Sequence, residues 1–522
     1  MGTARVIRNE REFHNLQPGD VQVCTATSTY FVHATITADG PTTAVNEIGA
    51  IRGTSLPVIS QSIETLYEKG EHIMKKILLT LALLLAACVS RSIEPTASSV
   101  LSPTSTASRI PAAQPIHISR LADLRSISQE IVAAEPSIAQ ARADQLWQTL
   151  LAEQRVPLIF DQTVVFLYKG QADRVNWRGA FNAWAAPGLE GQRIGQSDLW
   201  IGVTELPPAS RADYQVVVND KDWLADPANP HTTFSGLTGI NSVVTMPGFK
   251  VTDESQKRND VTPGKLTGEF SITSTQLGYA VNYWVYTPLG YENLQQLPVL
   301  YVLDGNDFVD ERMGAMPNVL DNLIAEKRIE PIIAVFVNAR DPNNPQFNRR
   351  EEEFLVHPIE HARFIANELV PLIDRTYRTN AQADARAIAG VSYGGVSAFY
   401  IGASQSRVFH NVAMFSPALW VLSNSQYLKD QKQVEGSRSM LPAVSVAVQC
   451  GGETGVACPP LPMKVFLTAG IASWDMDGLD TFAKEAQKRG YPIEFHQVQE
   501  GHGWDNWRGL TDEMLIYFFG SH

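Results

Sequence analysis

The sequence predicts an α/β protein in which a small β-sandwich precedes a larger domain built on a mainly parallel, helix-covered sheet. Three observations carry the prediction. From about residue 253 onward, apolar strand-like runs alternate with amphipathic helical stretches, as in a sheet covered on both faces. Between Pro157 and about residue 252, short strand-like runs are separated by Gly, Pro, Asp and Asn, as in sandwiches of the immunoglobulin-like kind. Finally, a strand of small residues, Ala387-Ile388-Ala389-Gly390-Val391, runs into Ser392 and a sharp turn before a helix over Val396–Ala403.

The chain has 522 residues, more than one ordinary domain holds. With 44% hydrophobic and 19% charged residues its composition is globular. The net charge of −13 gives no electrostatic reason to expect nucleic acid or an anionic membrane surface as partner.

The segment 74–88 has the anatomy of a signal peptide: Met74-Lys75-Lys76, an apolar run from Ile77, and Leu85-Ala86-Ala87-Cys88 at its end. An apolar run this short falls below the roughly 20 residues that span a bilayer. Its last four residues resemble the lipobox of bacterial lipoproteins, which makes Cys88 the expected lipidation site. The protein is then expected outside the cytoplasm, held to a bacterial membrane by lipid. Translation is expected to begin at Met74, because a signal sequence opens a protein and the purine-rich codons of Glu68-Lys69-Gly70-Glu71 suit a ribosome-binding site. Met1–Ile73 then reads as an untranslated upstream region.

Export fits the remaining cysteines. Cys450 and Cys458 bracket Gly-Gly-Glu-Thr-Gly-Val-Ala and are expected to pair as a disulfide in an oxidising compartment, with two free thiols as the alternative. A loop of that size is stabilised by roughly 2.5 kcal/mol in the chain-entropy account. No His or second Cys pair lies close to them, so no metal site is expected, and no cofactor is implied.

Residues 89–120 read as a flexible tether: Val89–Gln114 is rich in Ser, Thr, Pro and Ala and cannot bury a core. Residues 121–252 read as a helical segment (Ile127–Gln154, interrupted at Pro136) and the sandwich, closed by the turn Asp226-Pro227-Ala228-Asn229-Pro230. Residues 253–522 form the α/β domain. Its expected strands include Val299–Leu303, Ile332–Val337, Lys464–Thr468 and Glu494–Gln497. Its expected helices include Ile359–Ile373, with Pro371 loosening the last turn, and a closing helix over Asn506–Phe519.

The chemistry concentrates in Gly390-Val391-Ser392-Tyr393-Gly394-Gly395. A Gly-x-Ser-x-Gly turn between strand and helix needs small residues because the chain folds tightly on itself, lifting the Ser hydroxyl clear of the sheet. The Tyr393 N–H then faces a developing oxyanion. Asn306, after Leu303-Asp304-Gly305, is the second expected oxyanion donor. A serine hydroxyl needs a base, and in α/β-hydrolases the order along the chain is Ser, acid, His. His502, in Glu500-Gly501-His502-Gly503-Trp504 after the last strand, is the candidate; His496 lies within a strand and His522 is terminal. Asp475 is the preferred acid and Asp477 the other candidate, after Lys464–Gly470.

These motifs, with Tyr286-Thr287-Pro288, Arg350-x-x-Glu353-Phe354 and Gly501-His502-x-x-x-x-Trp507-Arg508, resemble the esterase family that includes esterase D, the mycolyltransferases and enterochelin esterase. The likeness extends over about 155–520 and is greatest to enterochelin esterase-like proteins, which carry a sandwich ending in a similar Asp-Pro-x-Asn-Pro turn. It implies an α/β-hydrolase fold and hydrolysis of a carboxylic ester through an acyl-enzyme. Precedents for the substrate are catecholate siderophores and feruloylated sugars. This chain departs from the family at Ser473, where an acidic residue is usual, so the third triad member is open among Asp475, Asp477 and none. Trp504, Trp507 and Arg508 flank the base and are candidates to hold an aromatic or anionic substrate; packing of the closing helix is the plainer role for both Trp. Acyl transfer, a feruloyl- or acetyl-esterase acting on polysaccharide, and a binding lipoprotein with a vestigial hydrolase domain are the competing readings.

Overall fold

The structure, a computed structural model, describes three short N-terminal strands and residues 115–521 apart from 237–238, 251–253, 423–430, 437, 439, 441–459 and 472–477. The expected signal peptide, Cys88, both cysteines of the expected disulfide, Asp475 and Asp477 lie outside the described residues. The chain divides into two units, Met1–Ile110 and Pro111–His522. In the first, Thr3–Ile7 and Asp20–Cys24 each pair antiparallel with Phe31–Thr35. Each strand runs only five residues, too short for a sustained period to show in the sequence.

The second unit opens with helices Leu121–Ala133 and Pro136–Ala152. The break falls at Pro136, the first residue of the second helix, where a missing N–H costs nothing. The first helix starts earlier than its apolar period suggests. Asp123 accepts hydrogen bonds from the Ser119 and Arg120 N–H groups and so fixes the turn that begins it. Leu124, Ile131, Ala143, Leu146 and Leu150 pack against Leu158, Val165 and Leu167 of the following sheet.

That sheet has four antiparallel strands, Leu158–Phe160, Thr163–Lys169, Leu199–Glu205 and Gln192–Arg193. A second sheet of six strands centres on Arg211–Val218, flanked by Val175–Gly179 and Gly239–Thr245. The two share a core in which Phe166 of the first stacks on Trp177 (5.8 Å between centroids) and meets Tyr214 edge-on (4.7 Å). The Asp226–Pro230 turn is tied to this core: the Tyr214 hydroxyl donates to the Asp226 carboxyl at 2.8 Å, and Asn229 Nδ2 donates to the Val243 carbonyl.

The main sheet has nine strands, numbered here β1 (Lys265–Leu266), β2 (Phe270–Thr273), β3 (Ala280–Thr287), β4 (Val299–Val302), β5 (Ile333–Asn338), β6 (Arg386–Val391), β7 (Asn411–Phe415), β8 (Lys464–Gly470) and β9 (Ile493–Val498). Their order is β1-β3-β5-β4-β6-β7-β8-β9, with β2 also beside β3. From β5 to β9 all neighbours are parallel, and β3 joins β5 antiparallel. Continuous apolar strands such as Ile333–Val337 are buried on both faces, one against Val299, Phe364, Ile365 and Leu369, the other against Leu320, Leu323, Met514 and Leu515.

Two helices differ from their sequence patterns. The stretch over Ile359–Ile373 continues to Thr376, and its loosened turn lies before Pro371. Ile365–Leu369 forms a π-turn closed by Val370 N–H to the Ile365 carbonyl, which accommodates a ring that cannot donate. The closing helix is two helices, Trp504–Gly509 and Thr511–Phe519, parted at Leu510. Gly509 weakens the helix there, and the Thr511 hydroxyl donates to the Trp507 carbonyl at 3.1 Å.

Candidate active site

Asn306, Ser392 and His502 follow the C-terminal ends of three of the parallel strands, β4, β6 and β9. Ser392 follows β6 directly and precedes the helix Tyr393–Ser404. Its backbone takes φ 54°, ψ −116°, a conformation rare for a residue with a Cβ. Around it the chain closes so tightly that a Cβ on Gly390 would lie 2.3 Å from the Gly394 carbonyl oxygen. Ser392 N–H donates to the Phe415 carbonyl of β7 at 2.8 Å, which fixes the turn against its neighbour strand.

An ion pair braces the same turn from below. The Arg350 Nε donates to both Asp304 oxygens at 2.8 and 2.9 Å, and Arg350 Nη2 donates to the Val391 carbonyl at 2.6 Å. The guanidinium also lies 5.3 Å from the Tyr393 ring centroid. Asp304, itself left-handed at φ 56°, begins the short helix Gly305–Val309. Asn306 therefore sits in a first helical turn, where backbone N–H groups have no intrahelical acceptor. Burial pushes the Asp304 carboxyl up to about 6, against the pull of Arg350.

His502 follows β9 in a loop that reaches back over the sheet. Asn506 Nδ2 donates to the Gly501 carbonyl at 2.9 Å and lies 3.4 Å from Ser416 Oγ, just past β7. The loop is thus held beside the strand whose Phe415 carbonyl binds the Ser392 N–H. The His502 ring meets Trp507 edge-on at 5.1 Å.

The sandwich closes on this loop. Gly501 presses on Ala180 so closely that a Cβ would stand 2.2 Å from the Ala180 Cβ. Arg211 N–H donates to the Gln499 carbonyl at 2.9 Å, and the Arg211 side chain pairs with Asp505 at 3.0 Å. The Thr233 hydroxyl donates to the same carboxylate at 3.0 Å. Between the two domains lies a cleft of about 340 Å³ whose lining includes Trp184, Arg211, Asp213, Phe234, Glu500 and His502. Burial pushes Asp213 up to about 6 and Glu500 up to about 7; Asn241 Nδ2, donating at 2.7 Å, draws Asp213 back down.

Of the predicted substrate residues, Trp504 lines this cleft. Trp507 and Arg508 are not among its lining residues: Trp507 is buried in the core below, and Arg508 is paired with Asp505 at 2.8 Å. Sequence reasoning missed the contributors from the sandwich, since nothing in a strand's alternation tells which outward residue will meet another domain. Asn506 was missed for a related reason, having no signature beyond its nearness to His502. Among the described residues no group of three or more His, Cys, Asp and Glu could hold a metal ion.

Residues 274–518 match the family model described as "Putative esterase". Over this stretch the chain is similar to that esterase family. Over 251 residues the chain is 27% identical to the endo-1,4-beta-xylanase/feruloyl esterase of Xylanibacter ruminicola, covering 47% of this chain and 33% of that protein. Over 253 residues it is 24% identical to an iron(III) enterobactin esterase of Escherichia coli, covering 44% of this chain and 60% of that protein. The chain therefore spans between 33% and 60% of the length of these two curated relatives. The crystal structure of the ferric enterobactin esterase from Salmonella typhimurium superposes with a TM-score of 0.56 at 18% identity, covering 71% of this chain and 98% of that one. That likeness establishes the α/β-hydrolase fold of the esterase domain.

Proposed function

We propose that the protein is a serine carboxylic-ester hydrolase in which Ser392 attacks the ester carbonyl and forms an acyl-enzyme. The observation that carries this reading is the Ser392 backbone itself, held at φ 54° between a buried strand and a helix. Strain of this kind is retained where an exposed hydroxyl is needed. His502 takes the Ser392 proton during attack and returns it to the leaving alkoxide; the same base then activates the water that releases the acid. The N–H groups of Tyr393 and Asn306 stabilise the oxyanion. Asp475 is the preferred orienter of His502. Relatives named for feruloyl and enterobactin esters place both ester types among the substrates to try. The sequence of 74–88 supports action outside the cytoplasm by a protein anchored through lipid on Cys88.

The test is turnover of p-nitrophenyl acetate by purified protein. Wild type should release an initial burst of nitrophenolate, and Ser392→Ala should lose both burst and turnover, a loss that reaches about 10⁶-fold in a well-studied triad protease. Wild-type rates in Ser392→Ala would reject the assignment.

A further inference from the structure

Glu500 is 7% exposed, lines the cleft together with His502, and stands two residues before it in the chain. Asp213, the neighbouring carboxyl of the cleft, is bound by Asn241, and Asp505 by Arg211, Arg508 and Thr233. Glu500 differs: among the described residues its carboxyl has no hydrogen-bond partner, and burial acts on it first, then the charges of Asp505, Arg211, Arg508 and Asp213. A largely buried carboxyl with no protein hydrogen bond leaves its lone pairs to whatever occupies the cleft. Its opening onto a cleft walled by Trp184, Phe234 and Trp504 points to a ligand group as that partner.

The chemistry of the base says which part of the ester that group belongs to. His502 delivers its proton to the leaving alkoxide, so the space flanking His502 is where the alcohol portion lies. We propose that Glu500 is a specificity-determining residue, accepting a hydrogen bond from a free hydroxyl on the alcohol portion of the ester while the aromatic walls cover its ring. The class is a neutral, hydroxyl-bearing alcohol with a ring face, a description that both a sugar and a catechol satisfy.

This rests on the esterase reading above, and the experiment separates the two. The purified full chain is assayed on acetyl esters that share one acid and differ in alcohol: p-nitrophenol, catechol and a methyl pentoside. For Glu500→Leu, which removes the acceptor, the ratio of kcat/KM on a hydroxyl-bearing ester to kcat/KM on p-nitrophenyl acetate should fall at least tenfold; which of the catechol and pentoside esters the wild type prefers identifies the source. A ratio changed less than twofold overturns the proposal, because a merely structural Glu500 lowers all three substrates alike. Competition in the wild type needs no variant: free catechol or methyl pentoside should inhibit p-nitrophenyl acetate turnover, and inhibition by neither overturns it. Absence of any wild-type turnover of p-nitrophenyl acetate removes the esterase reading and this one with it.

Discussion

Arg350 Nη2 donates to the Val391 carbonyl at 2.6 Å, one residue before the strained Ser392, while its Nε holds Asp304 at the start of the helix that carries Asn306. One guanidinium therefore connects the turn at Ser392, the proposed nucleophile, with the loop of Asn306, the proposed second oxyanion donor. Arg350→Met strands a buried carboxylate, and breaking a buried ion pair in this way costs about 3–5 kcal/mol. We expect urea unfolding to register that loss, and kcat to fall more than KM rises. Arg350→Lys retains the charge but not the fork and should fall between. Unchanged stability in Arg350→Met would contradict the brace.

Ser473 stands where the family usually carries an acid, which leaves Asp475 and Asp477 as candidates to orient His502. An acid that holds the imidazole tautomer is worth about 10⁴ in kcat in a triad protease. Asp475→Asn should lower kcat on p-nitrophenyl acetate by at least 10²-fold, and Asp477→Asn by a few fold at most. The reverse order moves the role to Asp477; two silent variants leave a Ser–His dyad.

Glu353, fully buried, receives a hydrogen bond from the Tyr279 hydroxyl at 3.2 Å. Burial pushes its carboxyl from 4.5 up to about 8, against the pull of Tyr279 and Arg349. The native protein thus keeps this proton over a range in which the unfolded chain has released it. The resulting stabilisation is full below about 4.5 and is lost as pH rises through about 8. Glu353→Gln cannot titrate, so the melting temperature of the wild type should decline relative to that of Glu353→Gln between pH 5 and pH 9. A difference constant over that range contradicts a protonated native Glu353.

Much of this architecture was legible in the sequence because its signals are local. Continuous apolar runs announced β4 and β5, and small residues at Gly390 and Gly394 announced the turn at Ser392. The order of Ser392 and His502 along the chain announced their places at the strand ends. What was not legible depends on residues far apart in sequence. Arg350 and Glu353 were visible as a motif, yet their partners Asp304 and Tyr279 follow from the packing of separate elements. Arg211 and Phe234 belong to strands whose alternation explains their exposure but not the His502 loop that covers them. The substrate role expected of Trp507 and Arg508 came from nearness in sequence to His502; in the fold one side chain turns into the core and the other to Asp505.

The central claim is the nucleophilic hydroxyl of Ser392, and covalent capture tests it most directly. A fluorophosphonate phosphorylates an activated serine oxygen and expels fluoride. Incubated with the native protein and followed by peptide mass spectrometry, it should modify the peptide containing Ser392, at a rate that collapses in His502→Ala. Modification confined to other serines, or labelling of Ser392 at equal rate without His502, would contradict the account.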